Sequence, residues 1–160
     1  AQLLRARRAV SGAMGRVSPN KLGEDIAVPR SAIPAMVRRV REIATEYDLL
    51  IPVFGHAGDG NLHPNILFDR RDVAQVQRVE GAAAAIFRTA LELGGTLSGE
   101  HGIGTLKREF LEDDLGPVAV DLMRRIKAAL DPKGLLNPHK IFPERPAHDK
   151  TGFLTSLPTL

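Results

Sequence analysis

The sequence predicts an α+β fold in which an antiparallel or mixed sheet is covered by helices. Apolar residues recur every three or four positions in two long segments, a spacing typical of amphipathic helices. Two short apolar segments, 49–56 and 62–68, flank a glycine-rich turn, which is the pattern of a strand–turn–strand unit. A length of 160 residues with 43% hydrophobic side chains suits one domain with a single core.

The helices and strands follow in order along the chain. Turn residues at 17–29 indicate a loop that feeds a strand. Helical periodicity covers 33–48, with Ser31 as a candidate N-cap, and 71–93, ending at the "LGG" segment. The segment 96–104 is predicted as a strand ending in a glycine loop. Pro117 suits the first turn of a last helix, which runs to Leu130.

Composition excludes several classes of protein. The chain has no cysteine, so it contains no disulfide and no thiolate metal site. Its net charge of +3 is small, and the basic clusters "RARR", "RRVR" and "RRIK" have few aromatic neighbours. These clusters indicate solvated helix faces and no nucleic-acid surface. No apolar run approaches the roughly 18 residues of a membrane span. The opening "AQLLRARRAV" lacks an initiator methionine, and we expect the chain to be part of a longer protein.

Two glycine-rich stretches carry the ionisable residues of interest. The stretch 54–65 reads "FGHAGDGNLHPN" and holds His56 and His63; the stretch 98–104 reads "SGEHGIG". Extended backbone at "LHPN" places His63 and Asn65 on one face, and Pro64, which donates no backbone hydrogen bond, suits an edge strand or a strand mouth. Two imidazoles and a carboxylate are a common ligand set for zinc and similar cations.

Glu100 can supply that carboxylate, and His101 follows it directly. Neighbours on a straight strand point to opposite faces, so both reach one site only if the backbone bends. Gly99, Gly102 and Gly104 permit this bend. Glu100 would then bind the metal, while His101 would take a proton, because an unperturbed imidazole has a pKa of ~6.5.

Each residue of the candidate site, taken by itself, also has a simpler explanation. A lone histidine is more often a surface or satisfied core residue than a ligand, and Asp59-Gly60-Asn61 is a turn sequence. No dinucleotide fingerprint, P-loop, calcium loop or nucleophile elbow is present. The residues alone therefore indicate a metal site and leave its reaction open.

Three motifs resemble one protein family. The segments "VFGHAGDGNLHPNILFD", "GGTLSGEHGIGTLKREFL" and "IKAALDPKGLLNPHKIFP" resemble the C-terminal part of FAD-linked oxidases, which include the glycolate oxidase FAD subunit, D-lactate dehydrogenases and D-2-hydroxyglutarate dehydrogenases. The resemblance implies the α+β substrate, or cap, domain of a vanillyl-alcohol-oxidase-type flavoenzyme. Residues 1–143 would form this region, ending in a segment that contacts the flavin domain, and 144–160 would be a tail.

The resemblance also implies roles for particular residues. His56, His63 and Glu100 would bind a divalent metal (zinc, manganese or iron), and His101 would be the general base. Arg7 and Asn65 would bind the substrate, with Lys21 as a weaker candidate. Asn137, in the "LLNP" segment, would contact FAD, which the missing N-terminal domain would mostly bind.

The implied activity is the metal-assisted oxidation of a 2-hydroxy acid to a 2-oxo acid, with hydride transfer to FAD. By itself the fragment is expected to bind FAD weakly and to be inactive. Expected partners are the hydroxy-acid substrate and further subunits, including an iron–sulfur subunit, in the cytoplasm or at a membrane through those subunits. The alternatives are a free-standing divalent-metal hydrolase or lyase, which would turn over without flavin, and a non-catalytic interaction domain.

Overall fold

A computed structural model describes residues 2–143, with side chains from residue 9 onward; the predicted tail, 144–160, lies outside this range. The described part has four α-helices, four strands and two short 3₁₀ turns, at Arg30–Ala32 and Arg108–Phe110. The helices are α1 (Gln2–Val17), α2 (Ile33–Glu46), α3 (Val73–Glu92) and α4 (Leu111–Leu130). The strands are β1 (Asn20–Gly23), β2 (Ile26–Ala27), β3 (Val53–His56) and β4 (Asn61–Phe68). None of the helices in the described range is long and apolar enough to cross a membrane.

The sheet is antiparallel and is built around β4. β3 pairs with β4 along one side, with Phe54 opposite His63. β1 and β2 pair in succession along the other side of β4, and the gap between them is two residues wide. The predicted α+β class is therefore confirmed, with an antiparallel sheet.

The pleat of β4 separates the core from the polar face. Leu62 and Ile66 point to one side, where they join Leu22 and Ile26 from the paired strands in the hydrophobic core. Buried residues of α2 and α3 complete this core, and α3 contacts both β4 and β2. Because alternate residues of a strand point to opposite faces, the polar residues of β4 lie on the face away from this core.

Two helices, α2 and α3, were predicted nearly at their observed bounds. α2 buries Met36, Val40 and Ile43, as its periodicity indicated. α3 begins after Asp72, whose side chain accepts a hydrogen bond from the backbone N–H of Gln75. A run of small residues lets α3 lie close to its neighbours, and Gly81 packs directly against the Tyr47 ring.

Ser31 is not an N-cap, contrary to prediction. It lies within the 3₁₀ turn that continues directly into α2. Ala32 occupies the N-cap position, and its side chain makes no capping hydrogen bond. The chain therefore enters the helix from a preformed turn, so no side-chain acceptor is used at this end.

Pro64 lies in the middle of the central strand, so its predicted position, at an edge strand or a strand mouth, is wrong. Its carbonyl accepts a hydrogen bond from the N–H of Glu24, on the side where β1 and β2 pair with β4. Its nitrogen faces the same side, at the gap between those two strands. Because the partner strand is interrupted there, the missing donor of Pro64 costs the sheet no hydrogen bond.

The segment 96–104 is not a strand, which corrects a third prediction. Thr96 alone makes a bridge, to Ala27, and the chain then turns irregularly through two glycines with positive φ, Gly102 (+83°) and Gly104 (+56°). Carboxylates accept the backbone hydrogen bonds that a neighbouring strand would otherwise accept: Asp114 accepts from the backbone N–H of Leu97 at 3.0 Å. The glycines therefore shape a loop and do not end a strand.

α4 contains a break that the sequence predicted only in part. Gly116 has a non-helical backbone (φ +75°, ψ 160°), and Pro117 begins the second segment, as predicted. Only Leu111 and Val120 of α4 are buried. Large apolar side chains recur along its exposed side: Val118, Leu122, Ile126 and Leu130.

Asp131 organises the segment that follows α4. Its carboxylate accepts hydrogen bonds from the N–H groups of Leu135 (2.9 Å) and Leu136 (2.8 Å) and pairs with Lys127. These interactions, with Lys127 first, lower the pKa of Asp131 from 3.8 to about 2. The turn around Asn137 therefore depends on an ionised carboxylate.

This dependence predicts a pH-sensitive turn. Because the folded pKa of Asp131 is below its ordinary value, its contribution is complete above about pH 4 and is lost as the pH falls toward 2. We expect the amide protons of Leu135 and Leu136 to lose their protection against exchange over this interval, after correction for the intrinsic pH dependence of exchange. The amide protons of α3 should remain protected. Asp131→Asn should lack protection already at pH 6. Equal protection in the variant and the wild type would contradict this account.

Candidate active site

Three histidines surround the carboxylate of Glu100. The Oε1 atom of Glu100 lies 3.0 Å from Nε2 of His63, 3.6 Å from Nε2 of His56 and 3.9 Å from Nε2 of His101. His56 ends β3 and His63 lies in β4, so the hairpin presents both on one face of the sheet. The structure therefore brings together all four residues that were predicted from the two glycine-rich stretches.

The rings are arranged around His63, which is the buried member of the group. Its side chain is 8% exposed, whereas those of His56, Glu100 and His101 are partly open to solvent. The His101 ring stacks on it at 5.1 Å and 15°, and the His56 ring meets it edge-on at 5.5 Å. The partly exposed side chains of His56, Glu100 and His101 thus form a rim around the buried imidazole of His63. A small molecule can reach this rim from solvent.

Asp25 holds the loop that delivers Glu100 and His101. It lies in the gap between β1 and β2 and is fully buried. Its Oδ2 accepts hydrogen bonds from the N–H of His101 (2.7 Å), the N–H of Glu100 (2.9 Å) and the hydroxyl of Ser98 (2.9 Å). Burial raises the pKa of Asp25, but these donors outweigh burial and lower it overall. The backbone bend that lets both side chains reach one site is thereby stabilised by a carboxylate.

A buried ion pair joins the same two segments beneath the loop. Lys107 is 4% exposed, and its Nζ donates to the carbonyls of Asp25 (2.5 Å) and Leu97 (2.7 Å). The same atom lies 3.7 Å from Oε2 of Glu24, which is fully buried. Burial raises the pKa of Glu24 to about 7, although Lys107 opposes this, and burial lowers the pKa of Lys107.

The ligand chemistry of the cluster fits a divalent cation. Asp25, His63, Glu100 and His101 each offer an atom within 4.8 Å of the others. Within this group, Glu100 faces Nε2 of His63, whereas Oδ1 of Asp25 lies 3.8 Å from Nδ1 of the same ring. An ion bound at Nε2 of His63 would therefore contact Glu100 and not Asp25. His56 is not one of these four residues, although its Nε2 lies 3.6 Å from Oε1 of Glu100. Imidazoles together with a carboxylate suit zinc, manganese or iron.

The remaining predicted residues lie outside the histidine cluster or are engaged otherwise. Asn65 shares a face with His63 but is buried, and its Nδ2 donates to the His63 carbonyl at 2.8 Å. The backbone of Arg7 lies in α1, and its side chain is outside the described part. Lys21 in β1 donates to the hydroxyl of Ser11 at 2.9 Å. Asn137 is exposed in the turn after α4, with φ +46°.

Sequence reasoning missed three buried charged residues: Asp25, Glu24 and Lys107. The available signal was the pair Glu24-Asp25, two consecutive acids inside an otherwise apolar, alternating stretch. Lys107 gave no signal, because a lysine beside Arg108 is typical of an exposed surface.

Comparison with known proteins identifies the family. The profile of "FAD linked oxidases, C-terminal domain" matches residues 1–141. The chain belongs to this family. It is 49% identical over 140 residues to "Glycolate oxidase subunit GlcD" of Bacillus subtilis, covering 88% of the chain and 30% of that protein. It is 36% identical over 146 residues to "D-2-hydroxyglutarate dehydrogenase" of Stutzerimonas stutzeri, covering 88% of the chain and 31% of that protein.

A third relative extends the range of named substrates. The chain is 40% identical over 117 residues to "Probable D-lactate dehydrogenase, mitochondrial" of Danio rerio, covering 73% of the chain and 24% of that protein. The chain thus spans between a quarter and a third of these relatives. In this FAD-linked oxidase domain, the two histidine stretches and the LLNP segment all fall within the matched residues.

Proposed function

We propose that this domain is the metal-binding and substrate-facing part of an FAD-dependent enzyme that oxidises a small D-2-hydroxy acid to the 2-oxo acid. The observation that carries the proposal is the position of Glu100 Oε1, within 4 Å of Nε2 of three histidines, two on one face of the sheet and one on the loop. Family membership supports the reaction class, because the three relatives are named for glycolate, D-2-hydroxyglutarate and D-lactate.

The ligands in this proposal are His56, His63 and Glu100. The metal, when bound, supplies a Lewis acid that lowers the pKa of a substrate hydroxyl. The cluster fits this role because its Nε2 atoms converge on one carboxylate oxygen and because its central imidazole is buried on the sheet face, which keeps it in position.

His101 is proposed as the general base. Its ring is held parallel to the His63 ring, and its side chain is 55% exposed, so a substrate at the rim of the cluster can reach it. It would accept the proton of the substrate 2-hydroxyl at Nε2. Arg7 and Asn65 are proposed to orient the substrate, Arg7 by pairing with its carboxylate.

The flavin is proposed to lie outside this domain, apart from one contact. FAD, when bound, supplies the hydride acceptor, and Asn137 is the residue proposed to contact it. The exposed apolar side of α4 and the turn after it support a packing surface for another part of a longer protein. Partner subunits, including an iron–sulfur subunit, and a cytoplasmic location or membrane attachment through those subunits belong to the same proposal.

Metal stoichiometry tests the ligand assignment directly. After equilibration with zinc or manganese and removal of excess ion, we expect mass spectrometry to find near one equivalent in the wild type. Little metal should remain in His63→Ala or in Glu100→Gln. The glutamine variant keeps the size of a half-exposed side chain, so its folding is not at risk.

His139→Asn is the matched control, because this histidine is exposed and asparagine tolerates its φ of +61°. The control should bind metal like the wild type. A wild type without metal, or a Glu100→Gln variant that retains it, would contradict the proposed ligand set.

A further inference from the structure

Asp25 has two carboxylate oxygens that face different parts of the site. It occupies the gap between β1 and β2, level with His63 on β4, because Gly23 pairs with Asn65 and Ile26 with Leu62. Its side chain is fully buried. A carboxylate is costly in such a position unless its oxygens are matched by donors, so each oxygen should have a defined partner.

Oδ2 already has its partners. It accepts from the N–H groups of Glu100 and His101 and from the Ser98 hydroxyl, at 2.7 to 2.9 Å. The Ser98 oxygen in turn accepts from the N–H of Gly102 at 2.7 Å. One oxygen therefore positions the backbone of the loop that carries the carboxylate and the imidazole of the cluster.

Oδ1 has one candidate partner. Within the part of the chain that the structure describes, it is buried without a hydrogen bond, and so is Nδ1 of His63; the two atoms are 3.8 Å apart. Nδ1 and Nε2 lie on different sides of the imidazole ring, and Nε2 is 3.0 Å from Glu100. A proton on Nδ1 directed at Asp25 leaves the lone pair of Nε2 available to a metal, whereas without a metal the nearer carboxylate of Glu100 favours a proton on Nε2.

We propose that Asp25 is the positioning residue of this cluster: Oδ1 holds His63 in its Nδ1–H tautomer, and Oδ2 fixes the backbone of Glu100 and His101. The inference rests on the proposed metal site and deepens it. A single buried carboxylate thus positions His63 on β4 relative to Glu100 and His101 on the loop.

Asp25→Asn separates these two tasks. Three donors converge on Oδ2, so the amide oxygen should take that place and the amide NH₂ should face His63. A donor opposite Nδ1 favours the Nε2–H tautomer, which blocks Nε2 as a ligand. We therefore expect the loop to keep its structure while zinc affinity falls by about 10- to 100-fold.

The experiment measures zinc affinity and, separately, the nitrogen chemical shifts of the His63 ring in a metal-free Glu100→Ala background, in which Nε2 no longer has a carboxylate acceptor, at a pH where the ring is neutral. In this background Nδ1 should be protonated when residue 25 is Asp, and Nε2 should be protonated in Asp25→Asn. Asp114→Asn is the matched control, because Asp114 accepts from Thr96 and Leu97 in the same loop. It should leave the His63 tautomer unchanged and alter zinc affinity by less than the Asp25 variant does.

Two results would overturn the inference. One is protonation at Nε2 of His63 in the Glu100→Ala protein that retains Asp25, which can be read even if the Asp25 variant does not fold. The other is an Asp25→Asn substitution that changes neither the tautomer in this background nor the zinc affinity of the protein that retains Glu100. A tautomer that switches in a protein that binds no zinc would support the role of Asp25 in orienting His63 and count against the proposed metal site, so the two failures are distinguishable.

Discussion

At pH 8, above the pKa of about 7 that burial gives Glu24, replacing Lys107 by methionine is expected to lower the free energy of unfolding by about 3–5 kcal/mol, because it removes one partner of a buried ion pair. The change leaves the carboxylate of Glu24 buried without its cation and removes both hydrogen bonds to the carbonyls of Asp25 and Leu97. Urea denaturation followed by circular dichroism measures the loss. Lys133→Met, at an exposed position, should change stability by no more than about 0.5 kcal/mol.

A double variant tests whether the ion pair is the cause. Glu24→Leu combined with Lys107→Met removes both charges and keeps similar side-chain volumes, so it should be less destabilised than Lys107→Met alone. The loss of the two carbonyl hydrogen bonds remains in both proteins. A double variant as unstable as the single one would show that these hydrogen bonds, and not the unpaired Glu24 charge, account for the effect.

Replacing His101 by asparagine is expected to lower kcat by about 10²- to 10⁴-fold, the range that a general base contributes. This measurement requires a polypeptide long enough to include the proposed FAD-binding region, with glycolate, D-lactate and D-2-hydroxyglutarate as test substrates. His101 is half-exposed and the proposed ligands are retained, so zinc content should stay near that of the wild type.

The control for this experiment is Arg41→Gln, at an exposed position of α2, which should retain wild-type turnover. A His101→Asn enzyme within about tenfold of the wild type would contradict the assignment of His101 as the base. A variant that loses zinc together with activity would indicate that His101 is a ligand, in the set that also contains Asp25, His63 and Glu100.

Local patterns in the sequence were sufficient for the main elements. The three- and four-residue spacing of Met36, Val40 and Ile43 defines the buried side of α2, because a helix repeats every 3.6 residues. The glycine-rich turn between two apolar segments predicted the β3–β4 hairpin. Alternation within "LHPN" placed His63 and Asn65 on one face, since the strand repeats every two residues.

Non-local contacts account for the predictions that were wrong. Pro64 can lie in the central strand only because the partner strand is interrupted opposite it. The segment 96–104 is a loop because carboxylates far away in sequence, Asp25 and Asp114, accept its backbone hydrogen bonds. Neither condition is visible in a window of neighbouring residues.

The sequence by itself determined α2, α3, the part of α4 after Pro117, the hairpin and the residue types of the candidate site, because these depend on local periodicity and on side-chain chemistry. It did not predict α1. The tertiary structure decided how those residues meet. Asp25 is 75 and 76 positions from the two N–H groups it holds, and Lys107 is 82 positions from the Asp25 carbonyl. Burial makes such contacts specific, because a buried charge without a partner is costly. The same residue types on a solvated surface would not need a defined partner.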